Sequence, residues 1–234
     1  MAVPPRASIS SLISFIQHHL RALLADPAAL RDARRRCLAL LGPRSAPRHR
    51  RRRRHDDDDH PHHPAEPTKN DDDEAVLAAL HGAVDAFLPP ASGGDPAACL
   101  AGIEEALQAP ALLPEHGETA GLGNRRVAAC AYFYLALLRC AQGDAWQMAM
   151  DLLQAVAVCP TAVAADAAAG EEGSGLAPRA LWEGLFDEAV LARAGGAGKE
   201  DAARKAARRY KDWLMYYKVV AAAPDAAAGV ENGG

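Results

Sequence analysis

Aromatic residues are scarce, at 5% of the 234 residues. Much of the 50% hydrophobic content is alanine, which favours helix but adds little core volume. Sheet proteins draw on β-branched and aromatic side chains, so this balance argues against a sheet fold and for helices. No uninterrupted apolar run reaches the ~18 residues that mark a transmembrane helix. The cysteines, Cys37, Cys99, Cys130, Cys140 and Cys159, are odd in number and contain no CxxC pair. That disfavours both a disulfide framework and a zinc site, and fits small reduced core residues of a cytosolic or nuclear protein. The net charge of −4 gives no global pull toward nucleic acid or a membrane surface.

Catalytic signatures are equally sparse. The chain has no P-loop, GxGxxG, GxSxG or HExxH pattern, hence no cofactor-binding motif and no expected cofactor. Asp187 and Glu188 are neighbours, but adjacent residues on a helix point apart. Cys130 or Cys140 with His116 is the one nucleophile–base pairing to weigh, against the plainer reading of buried cysteines. A non-enzyme is expected, with an enzyme of unrecognised chemistry as the reading from a different class.

What the chain does carry is helical periodicity. Ile9, Leu12, Ile13, Ile16, Leu20, Leu23 and Leu24 share one face of a first helix, with Ser8 or Ser10 as its cap. The early serines, Arg6 and Arg21, and the lack of acids before Asp26 also fit an organelle transit peptide, a weaker reading than a docked amphipathic helix. Asp26-Pro27 starts a second helix bearing Leu30, Cys37, Leu38 and Leu41, which stops at Gly42-Pro43.

Residues 43–72 are rich in Pro, Arg, His and Asp and have no apolar period, so a disordered charged linker is expected there. Arg50, Arg51, Arg52, Arg53 and Arg54 form a candidate nuclear-import signal. The adjoining Asp56–Asp59 run offsets their field and makes nucleic acid a disfavoured partner. His55, His60, His62 and His63 with these aspartates are the weak divalent-metal alternative.

A third helix is expected over Glu74–Leu88, capped by Asp71–Asp73, and a fourth from Asp95-Pro96, bounded by Pro110 and Pro114. Glu115–Gly123 reads as loop. The strongest signal is Arg125–Pro160: two apolar segments around Gln142-Gly143-Asp144, with Asn124 and Asp144 as caps. The short turn predicts antiparallel neighbours. Pro178 opens a helix carrying Leu181, Trp182, Leu185, Phe186 and Val190. After Gly195, Gly196 and Gly198 a last helix runs over about Lys199–Val220. Its basic stripe, Arg204, Lys205, Arg208, Arg209 and Lys211, is a solvated face or a contact for an acidic partner.

The expected fold is therefore all-α: antiparallel hairpins in a short armadillo- or TPR-like stack, or an irregular bundle, with a disordered internal linker. The divisions are 1–42 (helical pair), 43–72 (linker), 73–222 (helical domain) and 223–234 (disordered tail). The expected core is Tyr134, Leu135, Leu138, Trp146, Leu153, Trp182, Phe186 and Trp213.

One unit of the Arg125–Pro160 hairpin resembles a tetratricopeptide repeat through Tyr132, Leu135, Ala136, Gly143, Ala155 and Pro160, with Arg139 and Met148 departing from the pattern. A resemblance covering more of the chain rests on three blocks. These are "RRVAACAYFYLALLRCAQGDAWQMAMDLLQA" (Arg125–Ala155), "LAPRALWEGLF" (Leu176–Phe186) and "YKDWLMYYK" (Tyr210–Lys218). In order and spacing they resemble the N-terminal helical region of the plant E3 ubiquitin-protein ligase LIN/CERBERUS family. The family's fuller members join that region to a U-box, which recruits the ubiquitin-conjugating enzyme, and to WD-type repeats. Neither segment is recognised in this sequence, so the resemblance implies an armadillo-like scaffold for protein partners, including ubiquitin-pathway components, and not ligase activity. The alternatives are a TPR-like adaptor in an E3 assembly, or a fragment of a full ligase. The expected compartment is cytoplasm or nucleus.

Overall fold

The computed structural model describes residues 6–42, 69–87, 96–164 and 175–222. The candidate import signal Arg50–Arg54, the four histidines beside it and the tail after Ala222 lie outside these residues.

The fold is all-α. Helix α1 (Arg6–Ala25) begins ahead of Ser8 and Ser10, so neither serine caps it. Its predicted stripe buries Ile9, Ile16, Leu20 and Leu23. At the junction to α2 (Pro27–Leu41), Asp26 Oδ1 accepts from the backbone N–H groups of Ala28 at 2.8 Å and Ala29 at 3.2 Å. Pro27, which has no N–H to lose, takes the first helical position. Helix α2 turns Leu30, Ala33, Cys37 and Leu41 inward.

Helix α3 (Lys69–Ala86) starts earlier than its apolar pattern suggests, inside the segment read as linker. Asp71, Asp72 and Asp73 thus belong to its first turns instead of capping from outside. Carboxylates there are stabilised by the positive end of the helix dipole, which lets the helix extend upstream of its first apolar residue. Helix α4 (Pro96–Ala111) accommodates Pro110 in its last turn, where a missing N–H costs one bond, and ends one residue later.

The stretch read as loop contains a two-residue antiparallel ladder, β1 (Glu118–Thr119) with β2 (Leu122–Gly123). Positive φ at Ala120 (50°) and Gly121 (81°) makes the tight reversal. Asn124 is the first residue of α5, not its cap. Its Oδ1 accepts from the Thr119 hydroxyl at 2.7 Å and its Nδ2 donates to Pro114 O at 3.0 Å. The side chain therefore pins the hairpin to the helix instead of satisfying a helical N–H.

Helix α5 (Asn124–Gln142) is buried on nearly every side, from Val127 to Ala131 and again from Phe133 to Leu138. Gly143 reverses the chain at φ 82°, and Asp144 Oδ1 caps α6 (Ala145–Val158) through Gln147 N–H at 3.0 Å. This hairpin is the centre of the molecule. Helix α4 packs on α5, while α1 lies against both α5 and α6. The N-terminal pair docks on this chain, and its apolar stripe is part of one continuous core. Two ion pairs tie the layers: Arg34–Asp85 at 2.7 Å joins α2 to α3, and Arg139–Glu104 at 2.6 Å joins α5 to α4.

Pro160 ends α6 by opening a short α7 (Pro160–Val163). The single helix expected after Pro178 is two, α8 (Arg179–Leu185) and α9 (Glu188–Ala194). Phe186 leaves helical geometry to enter the core, and Asp187 Oδ1 caps α9 through Val190 N–H at 2.7 Å. Helix α10 (Lys199–Ala222) lays Ala202, Ala203, Ala206, Ala207 and Leu214 against the body, its small residues allowing close approach to α6. Among the described residues, no helix is long and apolar enough to cross a membrane.

Candidate functional site

Of the residues expected in the core, Tyr134, Leu135, Leu138, Leu153 and Phe186 are buried. Trp146, Trp182 and Trp213 are half-buried at its margin. An indole is large and rarely enclosed completely, so tryptophan settles at core edges more readily than at the centre; the Trp146 N–H is nonetheless buried without a hydrogen-bond partner. Trp182 and Trp213 there define a surface feature.

Their rings continue through two others. Trp182 meets Phe186 at a centroid distance of 4.7 Å, Phe186 meets Tyr210 at 6.3 Å, and Tyr210 meets Trp213 edge-on at 5.4 Å. The Tyr210 hydroxyl donates to Leu185 O at 3.4 Å, fixing α10 to α8. This aromatic ladder separates two concave regions. One, of about 920 Å³, opens between α7, α8, α9 and the start of α10, with Trp182, Phe186 and Leu191 in its wall. Its rim carries Glu183, Asp187 and Glu188, with Arg179 and Lys199. Arg179 is paired with Glu183 at 2.6 Å. The second, of about 320 Å³, lies between α1 and the ladder and is lined by Leu12, Phe15, Leu185, Tyr210 and Trp213.

Gly184 sets the spacing of that second region. A Cβ at this position would lie 2.2 Å from Cζ of Phe15, so the bare backbone of α8 is what lets the α1 ring sit on it. Past the ladder, α10 exposes Met215 (51%), Tyr216 (52%) and Val219 (67%), an unusual amount of apolar surface for consecutive turns.

The basic stripe of α10 is largely matched within the chain. Arg204 pairs with Glu200 at 2.8 Å, Lys205 with Asp201 at 2.9 Å and Arg208 with Glu115 at 4.0 Å, while Lys211 Nζ donates to Gln154 Oε1. The carboxylates of Glu200, Asp201 and Glu115 offset part of the charge that an acidic partner would read, whereas Gln154 is neutral and leaves that of Lys211 in place.

A buried polar seam runs between α5, α6 and α10. Asp151 is only 7% exposed and accepts from Gln147 Nε2 at 2.8 Å. Burial pushes its carboxyl up to about 6, against the Gln147 hydrogen bond and the charges of Arg139 and Lys211, which pull it down. Burial also raises the Tyr132 hydroxyl, with Asp151 adding to it, and lowers Lys211.

The cysteines are arranged differently from the nucleophile–base pairing. His116 is exposed on the loop before α5. Cys140 meets Arg21 of α1, and Cys130 meets Cys37 of α2. Cys37, Cys130 and Cys140 are buried free thiols. The Cys37–Cys130 contact and the seating of Phe15 on Gly184 join residues far apart in sequence. The only sequence signal for them was that Cys37 and Cys130 fell on apolar faces. Among the described residues, no three His, Cys, Asp or Glu side chains gather as a metal site. Comparison with known proteins finds no matching family model, no matching curated protein and no matching solved structure.

Proposed function

We propose that this chain is a non-catalytic protein-interaction scaffold, akin to the N-terminal helical region of plant U-box ubiquitin ligases, acting in cytoplasm or nucleus. A protein partner sits in the groove between α7, α8, α9 and α10. The observation that carries the reading is the meeting of the three resembling blocks. Leu176–Phe186 and Tyr210–Lys218 are joined ring to ring by the aromatic ladder, and α10 packs on α6 of the Arg125–Ala155 block. The groove is large enough for side chains of a peptide segment, and its mix of aromatic wall and charged rim suits recognition of protein.

The test is affinity capture from plant extract with the intact chain and with a Glu183→Lys/Glu188→Lys variant, both exposed residues lining the groove. The expected result is a partner held by the first and lost by the second, at unchanged melting temperature. Identical recovery by both removes the groove from the proposal. In parallel, the pure chain is incubated with ubiquitin, activating enzyme and a panel of conjugating enzymes. Ubiquitin chains formed by the pure protein would overturn the non-catalytic reading.

A further inference from the structure

Leu12 and Phe15 of α1, Gly184 and Leu185 of α8, and Tyr210 and Trp213 of α10 line the cleft of about 320 Å³ beside the aromatic ladder. The four large side chains from α1 and α10 are only half-buried, so apolar surface stays open to a guest. The rings are held in place. Phe15 sits where a Cβ on Gly184 would come within 2.2 Å of its Cζ, and His19 meets its ring edge-on at 4.6 Å. Tyr210 and Trp213 stand at 61° to one another with centroids 5.4 Å apart. A planar ring stacked on one of them meets the other by its edge, an arrangement that aromatic pairs favour. Rings already fixed before binding lose little freedom on binding.

None of the residues lining the cleft is charged. A charged guest would give up its hydration there without gaining a counter-charge, which a neutral guest need not do. The polar side-chain atoms of the lining are the hydroxyls of Ser8, Ser11 and Tyr210 and the indole N–H of Trp213. The Tyr210 hydroxyl reaches the Leu185 carbonyl only at 3.4 Å, longer than a usual O–H···O bond, so a guest hydroxyl finds a donor and an acceptor in two neighbouring lining residues. The volume lies near the bottom of the range of roughly 300–1,000 Å³ found for small-molecule sites, which suits one or two fused rings and not a helix of a partner.

We propose that this cleft binds a small, neutral, planar aromatic molecule bearing a hydroxyl group. The bound molecule touches α1, α8 and α10 together, fastens the N-terminal helix to the body and stabilises the fold by mass action. The cleft lies across the ladder from the groove given to a protein partner, and neither site depends on the other.

The experiment titrates 2-naphthol into the full chain by calorimetry and records intermolecular nuclear Overhauser contacts from the bound probe. The expected result is one molecule per chain, contacts to the Phe15 and Trp213 rings, and a thermal midpoint that rises by a few degrees at saturation. 2-Naphthoate, the same rings with a carboxylate in place of the hydroxyl, should bind roughly tenfold more weakly. Leu12→Trp fills the cleft from its half-buried edge and should weaken 2-naphthol binding by a similar factor. The Overhauser contacts need no variant and decide the matter if that chain does not fold. Absence of saturable binding would overturn the proposal. So would contacts to Trp182 and Leu191 of the groove in place of Phe15 and Trp213, equal affinity for 2-naphthoate, or undiminished binding by a folded Leu12→Trp chain.

Discussion

Replacing Asp151 with asparagine should stabilise this protein at neutral pH, although the side chain is hydrogen-bonded and near two cations. Its carboxyl titrates at about 6 in the fold against 3.8 for the ordinary group. The folded state therefore holds the proton more tightly than the unfolded chain does. Stability contributed by this group is greatest in acid, falls as the pH rises through the window from about 4 to 6, and is fully lost above it. A shift of about two pH units, at roughly 1.4 kcal/mol each, corresponds to about 3 kcal/mol paid at pH 7.5 for keeping an ionised carboxylate in this setting. Asparagine retains an acceptor for Gln147 Nε2 and removes the charge. Arg139 keeps Glu104, and Lys211 keeps Gln154. Urea unfolding of both proteins at pH 7.5 should give the variant an advantage of up to about 3 kcal/mol, or roughly 6–10 °C in the thermal midpoint. At pH 4.5 the two curves should draw together. Taking the difference between the proteins cancels every other titrating carboxylate. A variant no more stable at pH 7.5, or a gap that ignores pH, would refute the idea that desolvation outweighs the cations around Asp151.

Two further substitutions probe the packing. Leu135→Asp places an unpaired carboxylate where the side chain is 7% exposed, and it should abolish the cooperative circular-dichroism melt; an ordinary melt would show that α5 is not central. Gly184→Ala drives a methyl into the Phe15 ring and should cost about 1–3 kcal/mol, measured by urea unfolding, with part of the loss restored by Phe15→Leu in the same chain. No loss from the alanine would mean that α1 does not rest on α8.

Apolar spacing and capping chemistry made the helices legible. The stripe of α1, the Asp26-Pro27 start of α2, the Gln142-Gly143-Asp144 reversal and the buried α5–α6 pair all appear where the pattern placed them. These depend on neighbours within a turn or two, and local sequence contains that information. The departures are cases in which a distant contact outweighed the local preference. Asn124 holds Thr119 and Pro114 instead of capping α5. Phe186 leaves its helix because its ring enters the core, which splits the expected single helix in two.

The candidate site belongs wholly to this second category. The tryptophans were visible as large rings among alanines, but not the order Trp182–Phe186–Tyr210–Trp213, which arises only when α10 crosses back onto α8. The same is true of Cys37 against Cys130 and of Phe15 on the bare backbone of Gly184. The sequence by itself determined that the chain is helical, where most helices begin and end, and which faces are apolar, because backbone hydrogen bonding and side-chain periodicity are local. Only the tertiary structure decided that α1 docks on its own chain, how the aromatic rings are ordered and where a groove remains open. Those outcomes follow from shape complementarity between faces that are all similarly apolar, and apolar attraction carries no direction of its own.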